Sequence, residues 1–578
     1  MTTLLAQLNL RFVEAFEVLG LPVQASRVTV SDRPELAHFQ CNGALKAQAG
    51  DPLEVAERIV KQLAESIKWA ELTVAGSGFI NIRVSDDFLA EMLNLMAADE
   101  RFGCLKTTNP RQICIDFGGP NVAKPLHVGH LRSGIIGDSL QRLNRFAGHL
   151  VTGDVHLGDW GTQMGMVICA IRREQPDLPY FDSAYTGPYP ETSPVSLGDL
   201  ERLYPTESNR CKAEPEAMAA ALQATRDLQA GNPGYLALWR HFTALSVASA
   251  RQLYDRLGIS FDLWDGESTV NGQIPELLER LKLNGTAVMS QGALIIALAS
   301  PPPLLLQKSD GAYLYATTDL ATLESRLERG EQTIYYVVDK RQSLHFRQLF
   351  EVADLIGWTK PGIVLEFHGY GTMNGPDNKP FKTRSGGVMR LDELIRSVEE
   401  RAAKRLDELG IAKEYPDEEK ESIVRHVATA ALKFADLINN KNSDYAFDIE
   451  RFTSFEGKTG PYLLYTAVRA KSVLRTVDLS DDGPMTISDT GEFERSLLLI
   501  MAALPEAVAD AISQSAPHVI CDHAFRLSQE YNRFYQSCNI LHESDPARQR
   551  SWLAITLLLV RQLELLSALV GIQIPERM

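Results

Sequence analysis

The sequence predicts an α/β protein: a Rossmann-type parallel-sheet domain, a small α/β domain before it and an all-helical domain after it. From Gln112 onward, short apolar runs alternate with helical periodicity, the pattern of a parallel sheet crossed by helices. From about residue 394 to the end, helical periodicity continues with few strand signals. A chain of 578 residues also exceeds what one hydrophobic core normally serves, so several domains are expected.

The pattern divides the chain into three predicted domains: 1–107, 108–393 with an insertion at about 176–240, and 394–578. In the first, helices are expected at 3–19 and 52–68, and strands at 27–30, 71–74 and 79–84. In the second, a strand at 112–117, a helix at 131–147 and a strand at 150–155 form the first strand–helix–strand unit. Further strands are predicted at 293–298, 304–307, 313–316 and 333–338.

Composition limits the classes of function. A formal charge of −16 argues against a general nucleic-acid binder, so any RNA contact needs local basic patches such as 384–390 or 469–475. The seven cysteines show no C-x-x-C spacing, which predicts reduced thiols in a cytoplasmic protein and no zinc. The N-terminus lacks the features of a signal peptide, and the apolar stretch 552–560 is too short to span a bilayer.

The most informative segment runs from Ile113 to His130, where a strand passes through a glycine-containing loop into a helix. Free N–H groups and the positive end of the helix dipole make such a helix start a phosphate site. His127 and His130 lie three apart with Gly129 between them, and both can donate to phosphate oxygens. Alone, H-x-G-H recurs by chance, and capping or packing histidines would explain it. The strand, turn and helix around it favour the phosphate site.

This HVGH sequence resembles the HIGH motif of class I aminoacyl-tRNA synthetases, and PNVAKPLHVGHLRS at 120–133 resembles the arginyl enzymes in particular. The resemblance implies ATP binding by His127, Gly129 and His130, with Mg²⁺ bridging the phosphates. Residues 381–387 resemble a degenerate KMSKS loop, in which Lys382 and Arg384 would also bind ATP. In the family, the lysine before HIGH supplies the missing charge, so Lys124 joins His127, His130 and Lys382 as a catalytic candidate.

A guanidinium is planar and permanently charged, so carboxylates and amide oxygens are expected to face it. The resemblance implies that Tyr315, Asp319 and Gln342 line the arginine pocket, with Asp319 as the guanidinium partner. It also implies that Asp116 and Asn121 hold the α-amino group, with His130 close to the substrate. At Gly118-Gly119 relatives often carry Ser or Ala, so here Gly119 is expected to act through backbone groups or water. The motif at 158–163 is expected to support the site, and 265–268 receives no role.

The helical domain resembles the family's anticodon-binding domain. Its segment 447–465 and Arg469 combine a glycine-rich loop, aromatic side chains that can stack on bases and cations for phosphate. The N-terminal segment 39–42 resembles the part of the family that contacts the tRNA D-loop. A simple turn without any tRNA contact is an equal alternative for this segment. The resulting tRNA-binding candidates are Asn42, Phe455, Lys458, Tyr462, Tyr465 and Arg469.

The expected function is therefore that of a ligase, which activates L-arginine with ATP and transfers it to the 3′-terminal ribose of tRNA(Arg). Adenylate formation is expected to require tRNA, and no obligate protein partner is expected. Three alternatives remain at this point: another class I synthetase, a small-molecule adenylyltransferase with the same fold, and a non-catalytic RNA-binding relative. Missing zinc ligands disfavour a cysteinyl enzyme, and Asp319 disfavours a glutamyl or glutaminyl one.

Overall fold

The structure is a computed structural model that describes residues 3–33, 36–299, 301–309, 311–379, 381, 389–411, 413–477, 485–488 and 490–578. The chain forms two compact units. One contains Met1–Lys106, Asp407–Ala430 and Ser454–Met578, and the other contains Thr107–Leu406 and Ala431–Thr453. Each is described by itself, and the domain boundaries expected at 107 and 393 remain predictions.

The helices of the described chain are, in order, α1 Leu4–Val18, α2 Gly43–Ala47, α3 Pro52–Leu63, α4 Asp86–Ala98, α5 Val128–Ala147, α6 Thr162–Glu174, α7 Leu197–Ala213, α8 Pro215–Gln229, α9 Pro233–Arg256, α10 Ile274–Leu283, α11 Tyr315–Glu328, α12 Ser343–Leu355, α13 Leu391–Leu409, α14 Asp417–Leu437, α15 Ile449–Phe452, α16 Gly460–Thr476, α17 Glu492–Ala502, α18 Leu504–Ser513, α19 Pro517–Ser537 and α20 Pro546–Leu569. Short 3-10 turns include Glu267–Val270 and Lys340–Gln342.

The strands are β1 Val28–Val30, β2 Phe39–Cys41, β3 Ala70–Ala75, β4 Phe79–Val84, β5 Gln112–Asp116, β6 Leu150–Asp154, β7 Ala287–Ser290, β8 Ala293–Ile296, β9 Leu304–Gln307, β10 Thr333–Tyr336, β11 Val364–Phe367, β12 Met373–Asn374 and β13 Tyr445–Ala446. Most expected strands and helices are present with shifted ends. The strand expected at 313–316 is wrong, because residues from Tyr315 begin α11. The helix expected at 52–68 ends at Leu63.

The unit that contains Thr107–Leu406 has a parallel sheet in the order β11-β10-β5-β6. This confirms the predicted Rossmann-type sheet. All residues of β10 are buried, and so are Ile113–Asp116 of β5, as expected for central strands covered on both faces. In this sheet the carboxyl ends of β5, β6 and β10 lie side by side, which is where α/β sheets bind ligands.

Two further layers complete this unit. The antiparallel sheet β7-β8-β9 packs with α10, α11 and α12 in one core that includes Leu320 and Ile334. The expected insertion at 176–240 consists mainly of helices: Leu200, Ala224 and Leu238 of α7, α8 and α9 pack in a core with Ile168 of α6. Gly165 of α6 allows close approach, because an added Cβ would lie 2.0 Å from the backbone oxygen of Ala221.

The other unit joins an antiparallel sheet, β1-β2-β4-β3, to the C-terminal helices, which confirms both flanking parts of the predicted fold. Alternate residues of β4 are buried, so one face of the sheet supplies core side chains. Asn94 of α4 exchanges two hydrogen bonds with the backbone of Ile487, at 2.9 and 2.8 Å.

Two helical stretches, Glu492–Ser513 and Pro546–Leu569, are long and apolar enough to cross a membrane by length and composition. The second includes residues 552–560 and is longer than the apolar stretch recognised in the sequence. In this helix, 72% of the apolar window is buried inside the protein. That burial is typical of a core helix, and residues such as Leu559 and Leu563 are fully buried.

Candidate active site

A cavity of about 610 Å³ lies where the carboxyl ends of β5, β6 and β10 meet the start of α5. Its wall combines backbone from glycine-containing loops with histidines and acidic side chains. All seven predicted arginine-binding residues line it. The members used below are Asp116, Gly119, Asn121, His127, Gly129, His130, His156, Glu267, Tyr315, Asp319, Gln342 and His345.

The HVGH residues cap the start of α5. Nδ1 of His127 accepts a hydrogen bond from the N–H of Gly129 at 3.0 Å, and Nδ1 of His130 accepts one from the N–H of His127 at 3.1 Å. Each ring thus uses Nδ1 as an acceptor, which leaves Nε2 as an N–H donor in the neutral form. Burial lowers the pKa of both imidazoles, that of His130 to about 3, so both are neutral at pH 7.

Gly129 is required by close packing. A Cβ at this position would lie 2.8 Å from Cε1 and 2.9 Å from Nδ1 of His127. Such a contact would push the His127 ring from its capping position. The glycine therefore keeps the two imidazoles in contact, with their ring centroids 4.0 Å apart and their planes tilted by 43°.

Asp116, expected to hold the α-amino group, is partly committed to a buried ion pair. Nη2 of Arg326 donates to Oδ2 of Asp116 at 2.8 Å and to Oδ2 of Asp154 at 2.6 Å. Burial raises the pKa of Asp116, and the Arg326 charge opposes that rise. Asp116 still lines the cavity, so one carboxylate oxygen is fixed by Arg326 and the other is available.

The neighbouring backbone and amide groups follow β5. Gly118 and Gly119 have φ values of 91° and 41°, so both are left-handed, a conformation that glycine adopts without strain. The Asn121 Oδ1 accepts a hydrogen bond from Nε2 of Gln163 at 3.2 Å, which orients its amide. Gln342 ends the 3-10 turn after β10 and is exposed on the cavity wall.

A second wall of the cavity is acidic. Asp319 of α11 accepts a hydrogen bond at Oδ2 from Nε2 of His345, at 2.5 Å. Glu267 lies in the 3-10 turn, and burial, with a contribution from the Asp319 charge, raises its pKa to about 7. Tyr315 begins α11, and its side chain is exposed. Two carboxyls and a phenol on one wall are the partners that a fork of guanidinium N–H groups needs.

Sequence reasoning assigned no role to Glu267, although the motif at 158–163 holds the turn that carries this residue. Oδ2 of Asp159 accepts from the Ser268 hydroxyl at 2.6 Å, and Oδ1 accepts from the Ser268 N–H at 3.0 Å. The indole of Trp160 packs edge-to-face on Trp239 and is buried. In this motif, Asp159 fixes the turn that carries Glu267, which is how the motif can support the site.

Comparisons with known proteins agree with this geometry. The family model "tRNA synthetases class I (R), catalytic domain" matches residues 91–449. The models "Arginyl tRNA synthetase N terminal domain" and "DALR anticodon binding domain" match 6–84 and 463–578. The chain belongs to the arginyl-tRNA synthetase family. The predicted resemblance is therefore confirmed over nearly the whole chain.

Individual relatives of this arginyl-tRNA synthetase chain cover its full length. It is 44% identical over 593 residues to the arginine–tRNA ligase of Alkaliphilus oremlandii, and 46% identical over 590 residues to that of Hyphomonas neptunium, with 100% of each chain covered. The crystal structure of arginyl-tRNA synthetase from Plasmodium falciparum superposes with a TM-score of 0.82, at 25% identity and full coverage of both chains.

Lys124, one of the cations expected at the ATP phosphates, does not line the cavity that contains His127 and His130. Nζ of Lys124 lies 5.0 Å from the ring centroid of Tyr204 in α7 and lines a separate small cavity beside Pro125 and Leu197. It is still near enough to contribute to the lowered pKa of His127. Lys382 and Arg384 lie outside the described residues, so their roles remain predictions.

Five of the tRNA-binding candidates lie in the loop before α16 or on α16 itself. Arg469 donates from Nη1 to Oδ1 of Asn532 at 3.0 Å, and its guanidinium lies 4.6 Å from the centroid of the Tyr465 ring. Lys458 pairs with Asp522 at 2.7 Å. Phe455, Tyr462, Tyr465 and Arg469 are half-buried, and Lys458 is exposed. Asn42 is half-buried and precedes α2, with no side-chain hydrogen bond to the helix start.

Proposed function

We propose that this cavity joins L-arginine to ATP and then transfers the arginyl group to the 3′-terminal ribose of tRNA(Arg). One observation carries the proposal. The capped helix start at His127 and the acidic wall of Asp319 and Glu267 line the same cavity. A site for phosphate and a site for a cationic head group are thus within reach of one substrate pair. Membership of the arginyl-tRNA synthetase family supports the same activity and the use of ATP.

In the first step the arginine carboxylate attacks the α-phosphorus of ATP. A bond forms between a carboxylate oxygen and phosphorus, the α–β anhydride bond breaks, and pyrophosphate leaves with the electron pair. The Nε2 N–H groups of His127 and His130, with the positive end of the α5 dipole, stabilise the charge that develops on the phosphoryl oxygens. Mg²⁺ accompanies the ATP phosphates, the ligands on which proteins usually hold this ion.

The acidic wall selects the amino acid. Asp319 and Glu267 accept from the guanidinium, and Tyr315 packs beside it. At the other end of the substrate, Asp116, Asn121, Gln342 and the backbone at Gly119 hold the α-amino group. Lysine or citrulline leaves a desolvated carboxylate without a matching donor, which disfavours both.

In the second step the 2′-hydroxyl of the terminal ribose attacks the activated carbonyl, as in the class I enzymes that this chain resembles. The ester bond forms, the carbonyl–phosphate bond breaks, AMP leaves, and the hydroxyl proton passes to a phosphate oxygen. The half-buried aromatics Phe455, Tyr462 and Tyr465, with Arg469 of α16, contact the anticodon region. Lys124 leaves Tyr204 and meets the phosphates when ATP binds, with Lys382 and Arg384 as further cations.

Charging of tRNA with each amino acid in parallel tests the specificity, and charging of any residue but arginine contradicts it. Asp319→Asn removes a charged hydrogen-bond acceptor, worth about 1.5–3 kcal/mol, and is expected to raise the KM for arginine about 10- to 150-fold. The KM for ATP should stay within about twofold, because His127 and His130 are untouched. Asp354→Asn, on the neighbouring helix and outside the cavity, is the control and should change neither constant.

A further inference from the structure

His156 is the one described residue of the cavity wall, apart from glycines, whose backbone is left-handed, with φ at 38°. It follows the carboxyl end of β6, and its N–H donates to Oδ1 of Asp154 at 3.3 Å. Non-glycine residues in this conformation are uncommon and cost free energy, so they persist only where the surroundings hold them in place.

The His156 imidazole is largely buried but has no hydrogen-bond partner. Its side chain is 15% exposed, and among the described residues neither Nδ1 nor Nε2 has a hydrogen bond. Buried polar atoms in folded proteins nearly always have partners, so an imidazole with two unsatisfied nitrogens calls for a ligand. Carboxyl groups surround this ring from β5, β6, the loop that follows β6, the 3-10 turn Glu267–Val270 and α11: Asp116, Asp154, Asp159, Glu267 and Asp319.

Asp319 connects this histidine to the substrate. Its Oδ2 is occupied by Nε2 of His345 at 2.5 Å, which fixes the carboxylate plane. Its Oδ1 lies 3.9 Å from Nε2 of His156, too far for a hydrogen bond between them. A nitrogen that bears hydrogens can lie within hydrogen-bond distance of both atoms at once. One end of a guanidinium that lies beside this pair can therefore donate to both atoms.

We infer that His156 is a specificity-determining residue of the arginine cavity, whose free ring nitrogen accepts a hydrogen bond from the guanidinium that Asp319 binds. This inference rests on the proposed function, because it places the guanidinium at Asp319. A guanidinium offers five N–H donors and no acceptor, and a neutral imidazole offers one acceptor nitrogen. His156 thus adds a ring-nitrogen acceptor to an acidic wall, and His345 acts as the positioning residue for Asp319.

The backbone of His156 decides which substitutions are informative. Asn adopts left-handed φ more readily than most residues, so His156→Asn keeps the local fold but is too short to reach the position of Nε2. His156→Gly removes the side chain and the backbone strain together. His149→Asn is the matched control. His149 lies just before the amino end of the same strand, β6, and is not on the cavity wall.

The experiment measures the KM for arginine and the inhibition constant of citrulline in tRNA charging by the full chain. A lost hydrogen bond to a charged group predicts an arginine KM about tenfold higher or more in His156→Asn and His156→Gly. The KM for ATP and kcat should stay within about twofold. Citrulline replaces a terminal nitrogen with a carbonyl oxygen, so its inhibition constant should change less, and discrimination between the two ligands should narrow.

The outcomes separate the inference from the proposed function. An unchanged arginine KM in either folded variant overturns the role of His156, and so does an equal loss for arginine and citrulline, which would indicate a purely structural effect. Asp319→Asn is measured in the same series. If it leaves the arginine KM unchanged, the placement of the guanidinium fails; if it raises that KM while His156→Asn does not, only the inference about His156 fails.

Discussion

The raised pKa of Glu267 predicts that an increase in pH lowers the stability of the protein and strengthens its binding of arginine. Burial raises the pKa of Glu267 from the ordinary value of 4.5 to about 7. A carboxyl whose pKa is higher in the folded protein than in the unfolded chain binds protons more tightly when folded, so stability falls as pH rises from about 4.5 to 7. A difference of about 2.5 pKa units corresponds to about 3 kcal/mol of lost stability at pH 8, and to less than about 1 kcal/mol at pH 5.

Glu267→Gln removes this titration and keeps the shape of the side chain. Without arginine, the thermal midpoint of the variant should exceed that of the wild type at pH 8, and the gap should narrow towards pH 5. Arginine binding should respond in the opposite way, because the guanidinium needs the ionised carboxylate. With a pKa of about 7, the ionised fraction of Glu267 falls about tenfold from pH 8 to pH 6. The wild-type KM for arginine should rise by up to that factor.

The assays are thermal melting without ligand and the KM for arginine at pH 6, 7 and 8. Glu279→Gln, an exposed substitution on α10 outside the cavity, serves as the control for the loss of a negative charge. Two results would refute the reasoning. One is a Glu267→Gln variant that melts below the wild type at pH 8. The other is a variant whose KM for arginine keeps the full pH dependence of the wild type.

Two further substitutions test other parts of the site. Gly129→Ala places a Cβ 2.8 Å from the His127 ring and should lower kcat at least about tenfold while arginine affinity is kept; calorimetric titration with arginine and rates of pyrophosphate exchange with tRNA present measure both. An unchanged rate would show that the capping position of His127 is dispensable. Arg326→Met leaves Asp116 and Asp154 buried without their cation and should cost about 3–5 kcal/mol of stability, which denaturant unfolding measures. A loss below about 1 kcal/mol would contradict the importance of that ion pair.

The phosphate side of the site was the part most readily predicted from sequence. Strand, glycine loop, HVGH and helix are contiguous, so local rules place His127, Gly129 and His130 without knowledge of the rest of the fold. The start of α11 shows the limit of such rules. Tyr315, Thr317 and Thr318 favour a strand by propensity, yet Thr317 lies in the helix and donates its hydroxyl to the Leu306 carbonyl of β9. Tertiary packing overrides the local preference there.

The acidic side of the site depends on contacts between residues far apart in the chain. Glu267 lies in a short turn without periodicity, and its position depends on Asp159, which is 109 positions from Ser268. The pairing of Asp116 with Arg326 spans 210 positions, and no local pattern indicates it. Lys124 could be chosen from the resemblance, but its contact with Tyr204 of the helical insertion could not. Sequence patterns identify candidates at strand ends; the fold decides which of them are free for substrate.

The distribution of cations explains how an acidic protein can present a selective acidic wall. Five carboxyls face His156, and if all faced an open cavity any cation could enter. Arg326 instead pairs with Asp116 and Asp154, and Ser268 holds Asp159. His345 holds one oxygen of Asp319, so Glu267 and the second oxygen of Asp319 remain for a guanidinium. Because the deeper charges are already paired, the remaining wall matches one planar cation with several donors, which an ammonium group cannot satisfy to the same extent.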